Sequence, residues 1–356
     1  MSILGRISAK VFAHAAYAVL TACRWKEGVV RANVRHVLRG RWKGEVWPKG
    51  SGELETGESH AIVGLKPHAL YQKMMRNLTR HAGEMLFCLG TYKRLPGDCG
   101  AYPCQRDGRD FHIGANSAEV IRKMRRGGIF LTAHYGSYEA SGAWLCALGV
   151  PLKASFVPLK PAWLNRYIQQ KVRCVKRRPY SMDARTPREF LKLLDETSES
   201  GGDVPGNGSG DSPEGRQLFC LLADQDSRIR SAMDGNFLGC PAKINPLPDF
   251  LLRHRPDTPV FFCWIEERGC RKTLYAVEAD LRRECQGDGC SERPGESVVD
   301  GVYRSWLEER IRKNPSLWYG WTHRRFFSKN PEIYGSSAKA GGIGDRLDER
   351  TLRYRR

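Results

Sequence analysis

The sequence predicts an α/β protein with a central, mostly parallel or mixed sheet flanked by helices and an N-terminal membrane-associating helix. Three observations predict this class. Short apolar, β-prone runs alternate with helical segments along the chain, which is typical of α/β folds. The 356 residues suffice for one large domain of this kind or two smaller ones. An apolar stretch near the N-terminus, flanked by basic residues, favours contact with a membrane surface.

The N-terminal stretch is apolar from Val11 to Cys23, interrupted only by His14 and Thr21. It is shorter than the ~20 residues that a membrane-spanning helix needs. Basic residues stand on both sides of it: Lys10, Arg24, Lys26, Arg31, Arg35 and Arg39. These features favour a helix at the membrane interface over residues 1–42, and the alternative is an ordinary helix packed on the domain.

One folded domain is predicted over residues 43–335. Within it, segment 43–66 is rich in Gly and polar residues and is typical of a loop, and segment 198–215 is a low-complexity flexible insertion. Residues 336–356 form a charged, Gly-rich tail that we expect to be frayed.

The clearest local unit follows Gly127. Residues 129–132 are apolar and β-prone and predict a buried strand, and residues 133–136 predict a turn. Ser137 is a good N-cap for a helix from Tyr138 to Leu148, which Gly149 closes. Further elements are predicted as helices over 67–90, 163–175 and 186–196 and strands over 154–159, 217–223 and 259–265.

The charge is strongly positive, with 58 basic and 39 acidic residues. Such a surface attracts polyanions, which include nucleic acid, an anionic membrane and an acidic protein or phosphorylated ligand, and charge alone does not choose among them. The alternative is a surface that only keeps the protein soluble. The 12 Cys form no Cys-x-x-Cys motif and no cleavable signal peptide is visible, so we expect free thiols in a reducing cytosol and no metal or cofactor. The alternative is a structural disulfide or an irregular metal site.

His134 is the candidate catalytic base, since it directly follows the predicted strand and Glu139 stands five residues later. Histidine titrates near neutrality and accepts a proton from a hydroxyl, and a carboxylate holds the imidazole in one tautomer. The two side chains meet only if His134 lies in the turn and Glu139 in the first helical turn. The pair alone is a weak signal, and the alternative is a structural histidine.

The chain has no Gly-x-Ser-x-Gly, no Gly-Lys and no His-Glu-x-x-His, which disfavours nucleophile-elbow hydrolases, Walker A proteins and zincins.

Three ordered blocks resemble the lipid A biosynthesis acyltransferases, the lauroyl/myristoyl transferase family of the lysophospholipid acyltransferase superfamily. The first is IFLTAHYGSYE at 129–139, with a Tyr-Gly-Ser-Tyr centre where the family usually has Gly-Asn-Trp. The second is CLLADQDSRIRSAMDGNFLGCPAK at 220–243, which departs from the family after Ala242. The third is WLEERIRKNPSLWYGWTHRRF at 306–326. The resemblance covers about residues 1 to 330.

The resemblance implies acyl transfer from an acyl carrier protein thioester to a hydroxyl of a lipid A precursor. His134 would be the general base, and Glu139 would orient it. Arg173 is implied as a phosphate or oxyanion contact, with a solvated helix face as the alternative. Asp224, Gln225 and Asp226 are implied to shape the acceptor site, with turn-forming carboxylates as the alternative for the two acids. The cluster His323, Arg324 and Arg325 is expected to be structural or phosphate-facing.

The implied partners are acyl carrier protein, an anionic glycolipid acceptor and the cytoplasmic face of the inner membrane, all of which attract a basic protein. No nucleic acid is expected, because no helix-turn-helix, zinc finger or basic strand with interleaved aromatic residues is visible. The alternatives are a phospholipid-precursor acyltransferase that uses acyl-CoA and, less favoured, a basic nucleic-acid-binding protein.

Overall fold

A computed structural model describes residues 3–40, 66–156, 161–175, 178–182, 187–195, 217–281 and 297–338. The predicted insertion 198–215, almost all of the predicted loop 43–66 and most of the tail 336–356 lie outside the described residues.

The strands of the described residues are short, and several coincide with the predicted apolar runs. In chain order they are β1 Cys104–Arg106, β2 Arg109–Ile113, β3 Gly128–Thr132, β4 Leu152–Ser155, β5 Cys174–Val175, β6 Arg178–Pro179, β7 Ser181–Met182, β8 Leu218–Leu222, β9 Met233–Phe237, β10 Cys240–Ile244, β11 Val260–Arg268 and β12 Arg271–Glu278.

Eight of these strands form one mixed sheet in the order β1-β2-β12-β11-β3-β8-β4-β7. Strand β3 pairs in parallel with β8 on one side and with β11 on the other, while β11 and β12 form an antiparallel hairpin. Strand β12 pairs in parallel with β2. The predicted α/β class with a mixed sheet flanked by helices is therefore confirmed.

The α-helices enclose this sheet. They are α1 Ile3–Ala22, α2 Glu27–Gly40, α3 Pro67–Tyr92, α4 Ser117–Met124, α5 Tyr138–Ala147, α6 Ala162–Tyr167, α7 Pro187–Asp195, α8 Leu247–His254 and α9 Val298–Lys313.

Each face of the sheet buries its own apolar cluster, because successive side chains of a strand point to opposite faces. On β3, Ile129 and Leu131 enter the cluster shared with α2, α7, α8 and α9, and Phe130 enters the cluster shared with α4 and α5. Gly128 begins β3 at a φ of +134°, where a Cβ would lie 2.7 Å from the Pro259 carbonyl oxygen. The glycine thus allows the central strands to approach closely at this point.

Helix α1 packs along α3 in the opposite direction. Cys88 Sγ of α3 contacts the Gly5 carbonyl at the start of α1, and Tyr71 Oη donates a 3.1 Å hydrogen bond to the Leu20 carbonyl near its end. The other face of α1 exposes apolar side chains: Ile7, Val11 and Val19. In the part of the chain that the structure describes, no helix is long and apolar enough to cross a membrane.

The predicted helix over 163–175 is wrong in its second half. The α-helix ends at Tyr167, a π-helical turn covers Ile168–Val172, and Cys174–Val175 is a strand. Ile168, Val172 and Val175 are all buried in one apolar cluster, so tertiary packing decides this backbone against the helical propensity of the segment.

Candidate active site

The turn after β3 is fixed in place by a segment far along the chain. Tyr319 donates its backbone N–H to the His134 carbonyl at 2.7 Å, and Gly136 donates its N–H to the Leu317 carbonyl at 2.9 Å. Tyr135 forms an isolated antiparallel bridge with Trp318. Because these contacts are made by the backbone, the position of His134 is set by the overall fold of the chain rather than by one side chain.

Asp224 faces His134 from the neighbouring parallel strand. The register pairs Thr132 with Leu222, so His134 and Asp224 occupy equivalent positions two residues beyond β3 and β8. The buried Asp224 carboxylate lies 2.9 Å from His134 Nδ1 through Oδ1. Its Oδ2 accepts the His134 backbone N–H at 3.0 Å and Trp318 Nε1–H at 2.8 Å.

This geometry selects one form of the imidazole. A carboxylate only accepts hydrogen bonds, so Nδ1 of His134 carries a proton and donates it to Asp224. The neutral ring then has its lone pair on Nε2, for which the described residues provide no hydrogen-bond partner. A base with a fixed tautomer and a free lone pair is suited to removing a proton from a substrate hydroxyl.

The two groups shift each other's pKa values. Burial lowers the pKa of His134, but the charge and hydrogen bond of Asp224 outweigh it, and the pKa is raised from its ordinary value. Burial would raise the pKa of Asp224, but the charge and hydrogen bond of His134, together with the Trp318 indole, lower it to about 2. Asp224 therefore stays ionised and can stabilise the imidazolium.

The predicted orientation of His134 by Glu139 is corrected by these contacts. Glu139 lies in the first turn of α5, as predicted, but its two carboxylate oxygens accept hydrogen bonds from Arg173 Nη2 and, at 3.1 Å, from Arg173 Nε. The ion pair with Arg173 directs the Glu139 carboxylate away from the imidazole, and Asp224 reaches Nδ1 directly. Glu139 acts on His134 only through its charge, which raises the histidine pKa, while the charge of Arg173 lowers it.

Arg173 is not on a solvated helix face. It follows the π-helical turn, its side chain is 21% exposed, and its ion-pair partner Glu139 is 13% exposed. Nε and Nη2 are engaged by the carboxylate, so the guanidinium has a fixed orientation. The structure thus brings His134, Asp224, Glu139 and Arg173 together into one charged cluster.

Two aromatic rings border the imidazole of His134, and an amide lies beside one of them. The Tyr138 ring lies edge-on, with its centroid 5.3 Å from that of His134. The His323 ring is tilted relative to the His134 ring, and their centroids are 5.6 Å apart. Gln225 Nε2 is 3.4 Å from His323 Nε2.

The fully buried Asn33 of α2 donates to the carbonyls of Trp321 and His323, at 2.9 and 2.7 Å. Residues 27–40 of the segment assigned to the membrane interface therefore include a buried support of this site.

Asp226 is directed away from the imidazole. Its Oδ2 accepts the backbone N–H of Ser328 at 3.1 Å and the Ser328 hydroxyl at 2.7 Å. Burial raises the pKa of the Asp226 carboxyl, although its hydrogen bonds with Ser328 oppose this. Asp226 secures the C-terminal segment that carries His323, and its contacts give it no direct place beside His134.

Ser137 begins α5 at the predicted position, but its side chain does not cap the helix. The hydroxyl instead donates to Glu267 at 2.7 Å and lies 3.5 Å from Glu84.

His81, Glu84 and Glu267 have ligand atoms within 4.8 Å of one another, which is suitable spacing for a metal ion. Lys272 Nζ already forms ion pairs with both carboxylates, so this group is a compensated charge network beneath the turn.

Sequence reasoning missed Trp318 and assigned Asp224 a different role. The signal that identifies Asp224 is a repeated pattern, since the runs that become β3 and β8 each end in Ala followed by a polar residue, Ala133-His134 and Ala223-Asp224. Parallel neighbours in register place such residues side by side at one sheet edge. Trp318 has no comparable signal, because it arrives from a turn 94 residues after Asp224.

No protein-family model matches the chain, and no curated protein matches it either.

Proposed function

We propose that this protein is an acyltransferase that moves a fatty acyl chain from an acyl carrier protein thioester to a hydroxyl of a lipid A precursor. The observation that carries the proposal is the His134–Asp224 pair at the carboxyl ends of two parallel strands, where Asp224 accepts from both Nδ1 and the backbone N–H of His134. Ligands of α/β proteins bind at this edge of a sheet. The resemblance of residues 129–139, 220–243 and 306–326 to acyltransferase blocks supplies the reaction class.

The chemistry follows from the free lone pair on Nε2 of His134. This nitrogen removes the proton of the acceptor hydroxyl while the oxygen attacks the thioester carbonyl carbon, which gives a tetrahedral oxyanion. The C–S bond then breaks, the imidazolium returns its proton to the departing thiolate, and the products are an ester and a free thiol. Asp224 stabilises the imidazolium throughout, since its carboxylate is ionised and buried against the ring.

Arg173 supplies the positive charge that this reaction needs. Its guanidinium is held by Glu139 in a fixed orientation near the imidazole, and its Nη1 has no protein partner among the described residues. A fixed cation at this place favours a phosphate of the acceptor or the developing oxyanion, because a preorganised charge needs no reorganisation during the reaction.

The exposed face of α1 supports contact with a membrane. Helix α1 exposes Ile7, Val11 and Val19 on the face that turns away from α3, and basic residues follow the helix. We propose that this face lies in the cytoplasmic leaflet of the inner membrane, where apolar insertion and attraction to anionic head groups act together.

The test is acyl transfer by the purified protein with radiolabelled donors and acceptors in all combinations. The donors are acyl carrier protein thioester and acyl-CoA, and the acceptors are a lipid A precursor and a lysophospholipid. We expect transfer from the carrier protein to the glycolipid, abolished in His134→Ala. Transfer only from acyl-CoA to the lysophospholipid would identify the related phospholipid-precursor enzyme instead. Absence of transfer in every combination would overturn the acyltransferase proposal.

A further inference from the structure

A basic cavity of about 520 Å³ lies between the start of α1 and one end of the sheet. Its cationic lining residues are Arg6 and Lys10 of α1 and Arg109 of β2, and no Asp or Glu is among the described residues that line it. Arg109 is paired with Glu84, so the net positive potential of this concave site comes mainly from Arg6 and Lys10, and it attracts an anion.

The backbone around the cavity is shaped for close approach. Gly108 has a φ of +67°, and a Cβ there would lie 2.6 Å from Arg6 Nη1. The glycine thus permits the Arg6 guanidinium to lie against the chain.

Arg109 is held with part of its hydrogen-bonding capacity unused. Its Nη2 forms an ion pair with Glu84 at 3.1 Å, whereas its Nη1 is buried and has no oxygen or nitrogen partner among the described residues. Of the nearby acids, Asp107 accepts from Thr91 at 2.6 Å, and Asp110 contacts Sγ of Cys270, a residue of the cavity wall, at 3.4 Å. Because this Nη1 of Arg109 is buried and the side chain also bonds the Cys88 thiol, Arg109 contributes a fixed cation to the cavity wall rather than an exposed donor.

The cavity and the imidazole of His134 lie at the same end of the strands, namely the carboxyl end of β3. Strand β11 runs parallel to β3, so the β11–β12 turn and the start of β2 stand at the carboxyl end of β3. Strands β12 and β11 separate β2 from β3, which corresponds to about 14 Å across the sheet at the usual strand spacing. The register also places Asp110 level with Arg268, six residues beyond the partner of Leu131, so the cavity lies further along the strand direction than the end of β3. A short chain of contacts also joins the two places, because Glu84 bonds Arg109 and lies 3.5 Å from Ser137 Oγ, three residues after His134.

We propose that this cavity binds a phosphate group of a substrate whose reacting group lies at His134. The proposal rests on the proposed function for the identity of that substrate. Two sources share this chemistry, namely the phosphate of the glycolipid acceptor and the phosphodiester that joins the pantetheine arm to the acyl carrier protein. Because the cavity and His134 lie at the same end of the strands, one substrate can place a phosphate in the cavity and its reacting group at His134.

The first measurement is binding of inorganic phosphate to the full chain at constant ionic strength, by calorimetry. The variant is Arg6→Gln/Lys10→Gln, and its control is Arg35→Gln/Arg39→Gln, which removes the same charge from exposed positions of α2. We expect the dissociation constant for phosphate to rise about 10- to 100-fold in the first variant, because charge-assisted contacts are lost, and to stay unchanged in the control. Equal binding by both variants and the wild type would overturn the proposal. This readout does not depend on acyl transfer.

The second measurement distinguishes the two sources through Michaelis constants in detergent micelles. If the glycolipid phosphate occupies the cavity, Arg6→Gln/Lys10→Gln raises the KM for the phosphorylated acceptor about tenfold or more and leaves that for a dephosphorylated acceptor unchanged. If the donor occupies it, the KM for acyl carrier protein rises and that for acyl-pantetheine does not. No change in any of these constants would overturn the assignment of the cavity to a substrate. Phosphate binding without any acyl transfer would instead leave the cavity as an anion site and reject the proposed function.

Discussion

Asp224 and His134 stand in register at the ends of neighbouring parallel strands, and the Asp224 carboxylate accepts hydrogen bonds from both Nδ1 and the backbone N–H of His134. The same carboxylate also accepts the Trp318 indole N–H. The carboxylate therefore fixes the ring and the turn that carries it as one unit. Removal of its charge should affect chemistry much more than fold, because the turn has further backbone bonds to residues 317 and 319.

Asp224→Asn should lower acyl transfer by about 10³- to 10⁴-fold with a small change in thermal stability. The amide offers an N–H to Nδ1, which favours the tautomer with its proton on Nε2 and removes the base. His134→Ala should cost at least as much, since the base itself is absent. Single-turnover rates and thermal melting of the purified variants check both. Transfer by Asp224→Asn within tenfold of the wild type would contradict the orienting role of Asp224.

The pH dependence of kcat/KM should report the raised pKa of His134. Only the neutral ring accepts a proton, so the rate falls as pH decreases through this pKa, and the acid limb should lie above pH 6.5, the ordinary value. Asp224 raises this pKa and burial lowers it, so Asp224→Asn should move the acid limb of its residual activity to lower pH. An acid limb that stays in place or moves upward in Asp224→Asn would show that another group controls the profile.

Glu139 and Arg173 should behave as a coupled pair. Removal of one partner leaves a largely buried charge unpaired, so Glu139→Gln and Arg173→Gln should each lose about 3 kcal/mol of unfolding free energy. The double variant should recover part of that loss without recovering activity. The acid limb of the pH–rate profile distinguishes charge from packing. It should shift to lower pH in Glu139→Gln and to higher pH in Arg173→Gln, because Glu139 raises the pKa of His134 and Arg173 lowers it. Urea unfolding and pH–rate profiles measure both effects, and additive stability losses would argue against the pair.

Local patterns sufficed to predict the elements around His134, because β3 is an uninterrupted buried run and α5 follows it closely. They could not predict which carboxylate reaches the imidazole. Glu139 is close in sequence, but the direction of a helical side chain turns it to Arg173, whereas Asp224 is brought close by strand order and register. The β11–β12 hairpin was recognised only in its first strand, since the alternation in 271–278 is weak, with charged ends and the buried Lys272.

The outer face of α1 is apolar and exposed. Ile7, Val11 and Val19 have exposed fractions of 52%, 63% and 65% and lie within about 120° of the helix circumference. Replacement of all three by Ser should remove roughly 1 kcal/mol of insertion energy per residue and lower partition into anionic vesicles about 100-fold. Thermal stability should change little, because the opposite face of α1 makes the contacts with α3.

The control variant is Ile229→Ser/Val277→Ser, which changes apolar residues that are also exposed, at 37% and 36%, outside α1. Substitution is more informative than deletion of residues 1–23, since deletion would uncover the α3 surface on which α1 packs and would confound detachment with aggregation. Vesicle flotation at low and high salt measures partition. The basic residues after α1 remain in the triple variant, so we expect it to bind weakly at low salt and to detach at high salt, while the wild type and the control stay bound. Flotation of the triple variant equal to that of the wild type at both salt concentrations would show that this face does not contact the membrane.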